Sequence, residues 1–124
     1  MIDGKLVAAI QVAMSQSFPD TYFGEPQDDR QIPSQCVLIE LQSDVVVGSP
    51  LQRGVITLNV ISQADDFTKS EHSDFAQAVD AAFRSLSLTS SDVSLYGVVA
   101  QSTNNLREER HWRTSLPYIV GFGP

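Results

Sequence analysis

Apolar and polar positions along this chain change period several times, and each change marks a predicted element boundary. Leu6, Ala9, Ile10, Ala13 and Met14 recur at three- and four-residue spacing behind Asp3, a residue suited to cap a helix, and Phe18-Pro19 ends the stretch. This spacing predicts an amphipathic first helix. Gly24-Glu25-Pro26-Gln27-Asp28-Asp29-Arg30-Gln31-Ile32-Pro33 follows neither helical nor strand period and reads as a solvated loop. The period then turns to two. Cys36 to Leu41 is short and apolar, with Val37, Ile39 and Leu41 on one side and Leu38 on the other. From Gly54 to Ser62, Ile56, Leu58 and Val60 alternate with Thr57, Asn59 and Ile61, which suits a strand with one wetter face. Together the two predict an antiparallel hairpin, with Asp44-Val45-Val46-Val47 at a protruding tip before Gly48-Ser49-Pro50.

Helical spacing returns at Thr68-Lys69-Ser70-Glu71, a capping-box sequence that opens a stripe of Phe75, Val79, Ala82, Phe83 and Leu86. Ser87 to Asp92 is a polar turn. Val93 to Gln101 and Arg110 to Val120 have strand character, and the polar stretch Ser102 to Glu109 joins them. On the last strand Trp112, Thr114, Leu116, Tyr118 and Val120 share a face, Arg113, Ser115 and Ile119 take the other, and Pro117 lacks a ladder donor. That proline points to an edge strand or a bulge. The order helix, strand, strand, helix, strand, strand predicts an α+β two-layer sandwich. Its four-stranded, mainly antiparallel sheet carries both helices on one face, and residues 1–124 form a single domain.

Composition narrows the function. With 42% hydrophobic and 19% charged residues the chain is too apolar for disorder and long enough for one core. No apolar run reaches the roughly 18 to 20 residues that cross a bilayer, and Met1-Ile2-Asp3-Gly4 lacks the start of a signal peptide, so no membrane association is expected. Cys36 is the only cysteine, which excludes an intrachain disulfide and a paired-cysteine zinc site. The net charge of −7 opposes the phosphate neutralisation behind tight nucleic-acid binding.

Candidate chemistry is sparse. The seven glycines show no GxGxxG or GxxxxGK[ST] spacing, and no serine sits in a GxSxG elbow. His72 and His111 are the only imidazoles, and both read as solvated. His111 beside Glu108 and Glu109 comes nearest to a hydrolytic arrangement. Carboxylates at Asp65, Asp66, Glu71 and Asp74 are explained by a helix N-terminus, since the calcium-loop pattern is absent. Asp28-Asp29 reads as a solvated acidic pair, and Trp112 and Tyr118 as packing aromatics in preference to a base-stacking platform. No catalytic, cofactor or metal residue is therefore expected. Two features exceed the needs of an isolated monomer: the β-branched tip Val45-Val46-Val47, and Leu106-Arg107-Glu108-Glu109-Arg110, which suits the polar rim of an interface. With Asp44 and Arg113 these form the candidate interaction set.

Three stretches, in this order and spacing, resemble the phage neck and tail terminator proteins. They are Cys36-Val37-Leu38-Ile39-Glu40-Leu41, the passage Gly54-Val55-Ile56-Thr57-Leu58-Asn59-Val60 into Ser73-Asp74-Phe75-Ala76-Gln77-Ala78-Val79, and Leu106-Arg107-Glu108-Glu109-Arg110 into Tyr118-Ile119-Val120. The resemblance implies a non-enzymatic virion protein, made in the host cytoplasm, that forms a hexameric ring on the head-proximal end of the tail tube. Its implied partners are other copies of itself, the tail-tube protein and a head-completion or connector protein, with DNA passing through the lumen unread. Six copies at −7 each total about −42, a charge that repels phosphate during passage. Two other functions fit the same residues: a head-side adaptor ring of the neck, and a small hydrolase or ligand-binding domain using His111, Glu108 and Arg113.

Overall fold

Strands of alternating polarity pair through the middle of a sheet in the computed structural model, which describes residues 2–24, 34–44, 52–86, 88, 93–108 and 110–123. The elements in chain order are α1 (Ile2–Ser15), β1 (Thr21–Phe23), β2 (Gln35–Asp44), β3 (Gln52–Gln63), α2 (Lys69–Arg84), β4 (Ser94–Ala100), β5 (Asn104–Arg107) and β6 (His111–Gly123). The sheet runs β1-β2-β3-β6-β4, and β5 also pairs with β6. Among the described residues only the β1–β2 pairing is parallel.

Register fixes the faces, because residues directly opposite in a ladder share one side of the sheet. Ile39 pairs with Leu58 and Leu58 with Leu116, while Ile56 pairs with Tyr118. These residues and Val37, Val60, Val120 and Phe122 form the core beneath the helices. Leu6, Val7, Ile10 and Met14 of α1 enter it with Ala76, Val79 and Phe83 of α2. Phe83 and Tyr118 pack with ring centroids 4.4 Å apart.

The capping box opens α2 as its sequence predicts: Glu71 N donates to Thr68 Oγ1 at 3.2 Å and Thr68 N to a Glu71 carboxylate oxygen at 3.0 Å. At the other helix the start differs, since α1 begins at Ile2 and Asp3, expected as the cap, lies inside its first turn. The α+β class and both helices match the expected order. Among the described residues, however, the sheet has six strands and is mixed, where the pattern predicts four in a mainly antiparallel arrangement. Both added strands are too short to carry a period. β1 forms against β2 after Thr21 Oγ1 donates to Phe18 O, and β5 arises inside the stretch predicted as a polar connection.

Pro117 is not on an edge, since β6 lies between β3 and the β4–β5 side. Its carbonyl accepts from Gln101 N at 2.9 Å. In an antiparallel ladder a residue's N and O point the same way, so the missing donor faces the break between β4 and β5. There the register slips, from Ala100 opposite Tyr118 to Asn104 opposite Ser115. A further slip between Leu95 and Gly97 leaves Tyr96 as a bulge.

Truncating the buried Phe83 to Ala removes the ring stacked on Tyr118. We expect a loss of about 3 to 5 kcal/mol in urea-unfolding free energy, whereas Thr68→Ala costs about 1 kcal/mol through the lost cap.

Candidate functional site

Chain reversal between β5 and β6 gathers the charged residues of the predicted rim. Glu108 N donates to His111 O at 2.9 Å, closing the turn. The Glu108 carboxylate then reaches two neighbours: one oxygen lies 2.6 Å from His111 Nε2, the other 3.4 Å from Arg113 Nη1. Arg107 lies 4.5 Å over the Trp112 ring, whose Nε1 donates to Phe67 O at 3.2 Å and ties the hairpin to the start of α2. Leu106, Arg107 and Arg110 are exposed, and Glu108, His111 and Arg113 half-buried.

A second polar cluster lies beneath α2, where His72 is buried, not solvated as the sequence suggests. Its Nδ1 is 2.7 Å from Ser62 Oγ on β3 and its Nε2 2.9 Å from Thr114 Oγ1 on β6. Thr114 donates onward to Asn105 Oδ1 at 2.7 Å, so its oxygen is left to accept from Nε2–H. Nδ1 must then accept from Ser62, which itself accepts from Gln35 Nε2 at 3.3 Å. The result is one directed chain, Gln35 to Ser62 to His72 to Thr114 to Asn105, with a neutral imidazole in the middle. Burial lowers the His72 pKa from its ordinary 6.5.

The sheet face away from the helices is covered unevenly. Cys36, Leu38 and Ile61 form a small buried cluster there, and burial pushes the Cys36 thiol up to about 11, far from a reactive thiolate. Farther along, Val55 faces Ile119 and Ile119 faces Val99. A Cβ placed on Gly121 would lie 3.9 Å from Tyr96 Cβ, which sets Tyr96 beside this row. Tyr96, Val99 and Ile119 are 57%, 60% and 40% exposed, and Leu106, opposite Arg113 on the same face, is 53% exposed. Val99, Ile119 and Tyr96 thus form one exposed apolar row, and Leu106 lies six residues, roughly 20 Å, farther along β6 from Ile119.

Of the candidate interaction set, Leu106, Arg107, Glu108, Arg110 and Arg113 come together on the β5–β6 hairpin. Asp44 ends β2 opposite Arg53, at the far end of the β2–β3 pair. Val45, Val46, Val47 and Glu109 lie outside the described residues, as do Asp28 and Asp29. Tyr118 is core, with its hydroxyl donating to Asp80. The sequence pattern does not mark the His72 cluster or the row of Tyr96, Val99 and Ile119. A cleft of about 420 Å³ also opens between Phe18, Phe67 and Phe75.

Among the described residues no group of three or more His, Cys, Asp or Glu is placed to hold a metal ion, and no helix is long and apolar enough to cross a membrane. Searches against protein-family models and curated protein sequences find no match to this chain.

Neutral His72 sets a pH dependence. The unfolded chain takes up a proton at His72 that the fold resists, so stability is full above 6.5 and is lost as pH falls from there through the lower folded-state value. His72→Gln should lower the urea-unfolding free energy at about pH 7.5 by about 1 to 3 kcal/mol and flatten its decline toward about pH 5.5. An unchanged slope would place the acid sensitivity elsewhere.

Proposed function

We propose that this chain is a structural virion subunit that forms a ring on the head-proximal end of a phage tail tube, ends tube growth and joins the tail to the neck. The observation that carries the reading is the sheet face opposite α1 and α2, where Val99, Ile119 and, farther along, Leu106 are exposed apolar side chains. The charged hairpin beside it supports the same reading, since charged rims around apolar patches set register and exclude wrong partners.

On this reading the mechanism is surface complementarity. One face of a hexameric ring binds the last tail-tube subunits, and the other, being different, accepts a head-completion or connector protein and no further tube protein. No bond is made or broken. DNA crosses the lumen without sequence-specific contact, and the net charge of −7 per chain discourages it from adhering.

A hydrolase reading has one observation in its favour, the His111–Glu108–Arg113 cluster. Those contacts already serve the fold, because Glu108 holds both neighbours across a closed turn. A head-side adaptor ring would use the same open face on a different partner.

Electron microscopy of tails assembled with and without the protein separates these readings. Overlong tails lacking heads are the expected result of omission. Tails of normal length that fail to join heads would transfer the assignment to the head-side adaptor. Particle assembly should survive His111→Ala with Glu108→Ala; an assembly defect in a folded double variant would give the cluster a direct role.

A further inference from the structure

We propose that copies of this chain join head to tail through the two opposite margins of the sheet, the β4–β5 margin of one copy seating against the α1–β1 margin of the next. The proposal rests on the ring reading and deepens it by naming the second half of the joint.

The strand order sets β1 at one end of the sheet and β4 with β5 at the other. Each end carries its own exposed apolar group. At the β1 end Phe23 is 62% and Tyr22 39% exposed, and a shallow groove of about 330 Å³ lies between Phe23, Leu41 and the Gly4, Val7, Ala8 and Gln11 row of α1. Val12, 67% exposed, extends that row by one helical turn from Ala8. At the other end Leu106 is exposed on β5, and Val99 and Tyr96 are exposed on β4, roughly 20 Å or more farther along that margin. Two unlike patches at opposite ends suit a heterologous contact, in which each copy offers one surface and receives on another; a two-fold dimer built on either patch would leave the other bare.

Charge supports second copies as the occupant. Asp20 and Glu40 are exposed at the β1 end, while Arg107 and Arg110 are exposed at the β5 end. Among the described residues of that hairpin, the anion Glu108 is already held by His111 and Arg113. Lys5 is a cation on the α1 margin, but the helix rise from Lys5 to Ser15 sets it roughly 15 Å along the axis from the end that leads to Asp20. The levels agree as well. Thr21 lies opposite Val37, Val37 opposite Val60, Val60 opposite Thr114 and Thr114 opposite Asn105, so β1 and β5 sit at the same height across the sheet.

Side chains, not a shared backbone ladder, make the joint. Thr21 O already accepts from Gln11 Nε2 at 3.1 Å, and β4 is interrupted by its bulge at Tyr96. Both features blunt edge-to-edge pairing.

The test uses the full chain in sedimentation equilibrium and native mass spectrometry, with thermal unfolding as a check on folding. Wild type should grow past the dimer as concentration rises. Phe23→Lys and Leu106→Lys should each weaken association about tenfold or more, and their equimolar mixture should form a dimer that grows no further, because one intact joint remains. Asp20→Arg and Arg107→Asp should each weaken association, and the two substitutions in one chain should restore it. A wild-type chain that stays monomeric, or stops at a dimer, overturns the proposal, as does a mixture that fails to pair. Tail length reads the terminator assignment separately: a monomeric chain that still ends tails loses this joint alone, and a head-to-tail assembler without effect on tails loses the terminator alone.

Discussion

The antiparallel pairing of β3 with β6, unbroken from Gln52 opposite Phe122 to Gln63 opposite His111, is the constraint on which the rest of the structure depends. Its register decides what each face of the sheet presents. A slip of β6 by one residue would turn Leu116, Tyr118 and Val120 away from the helices and bring Ser115, Pro117 and Ile119 beneath them. The core and the open apolar row are therefore two results of one register, and neither can change without the other. Pro117 is tolerated in this central strand because its missing donor faces away from β3, toward the β4–β5 break.

The His72 chain is anchored in the same pair. Ser62 and Thr114 lie near one end of the ladder, on β3 and β6, and the imidazole that bridges them comes from the first turn of α2. A buried polar group of this kind is costly unless every partner is in place, so it rewards one seating of α2 and penalises neighbouring ones. The rest of α2 contributes the larger hydrophobic stabilisation through Ala76, Val79 and Phe83, which by itself would tolerate small shifts. Asn105 at the far end of the chain extends the link to β5, so the placement of α2 and that of the charged hairpin are coupled through one histidine.

What is legible in the sequence divides along the range of the signals. α2 is legible because its capping box and apolar stripe are local, β3 and β6 because each alternates over many residues, and β2 because its short run is apolar and rich in β-branched residues. β1 and β5 are not. Thr21–Phe23 is three residues, and Asn104–Arg107 has two asparagines, poor strand formers, and is exposed throughout; pairing with β6 makes it a strand. The same gap hides the geometry of the candidate site. By composition Ser102 to Glu109 is a polar connection, and nothing in that pattern brings Glu108 between His111 and Arg113, as the reversal after β5 does. The burial of His72 depends on residues ten and 42 positions away, a distance no local pattern spans. Leu106, Arg107 and Arg110 are legible as interface candidates from composition alone, but Tyr96 is not, because its exposure follows from a bulge.

That bulge bears on why the sheet ends where it does. A sheet with an open apolar face and two unprotected edges would add strands from any neighbour. Here the edges are poor templates: β1 is short and has a carbonyl occupied by Gln11, β4 is bulged at Tyr96, and β5 is set off by a break in register. Blunted edges beside an apolar patch favour association by side-chain fit, which specifies a partner, over backbone pairing, which does not. The ring proposed above would need that preference, because ladder growth has no built-in end whereas a fitted contact closes when its rotation does.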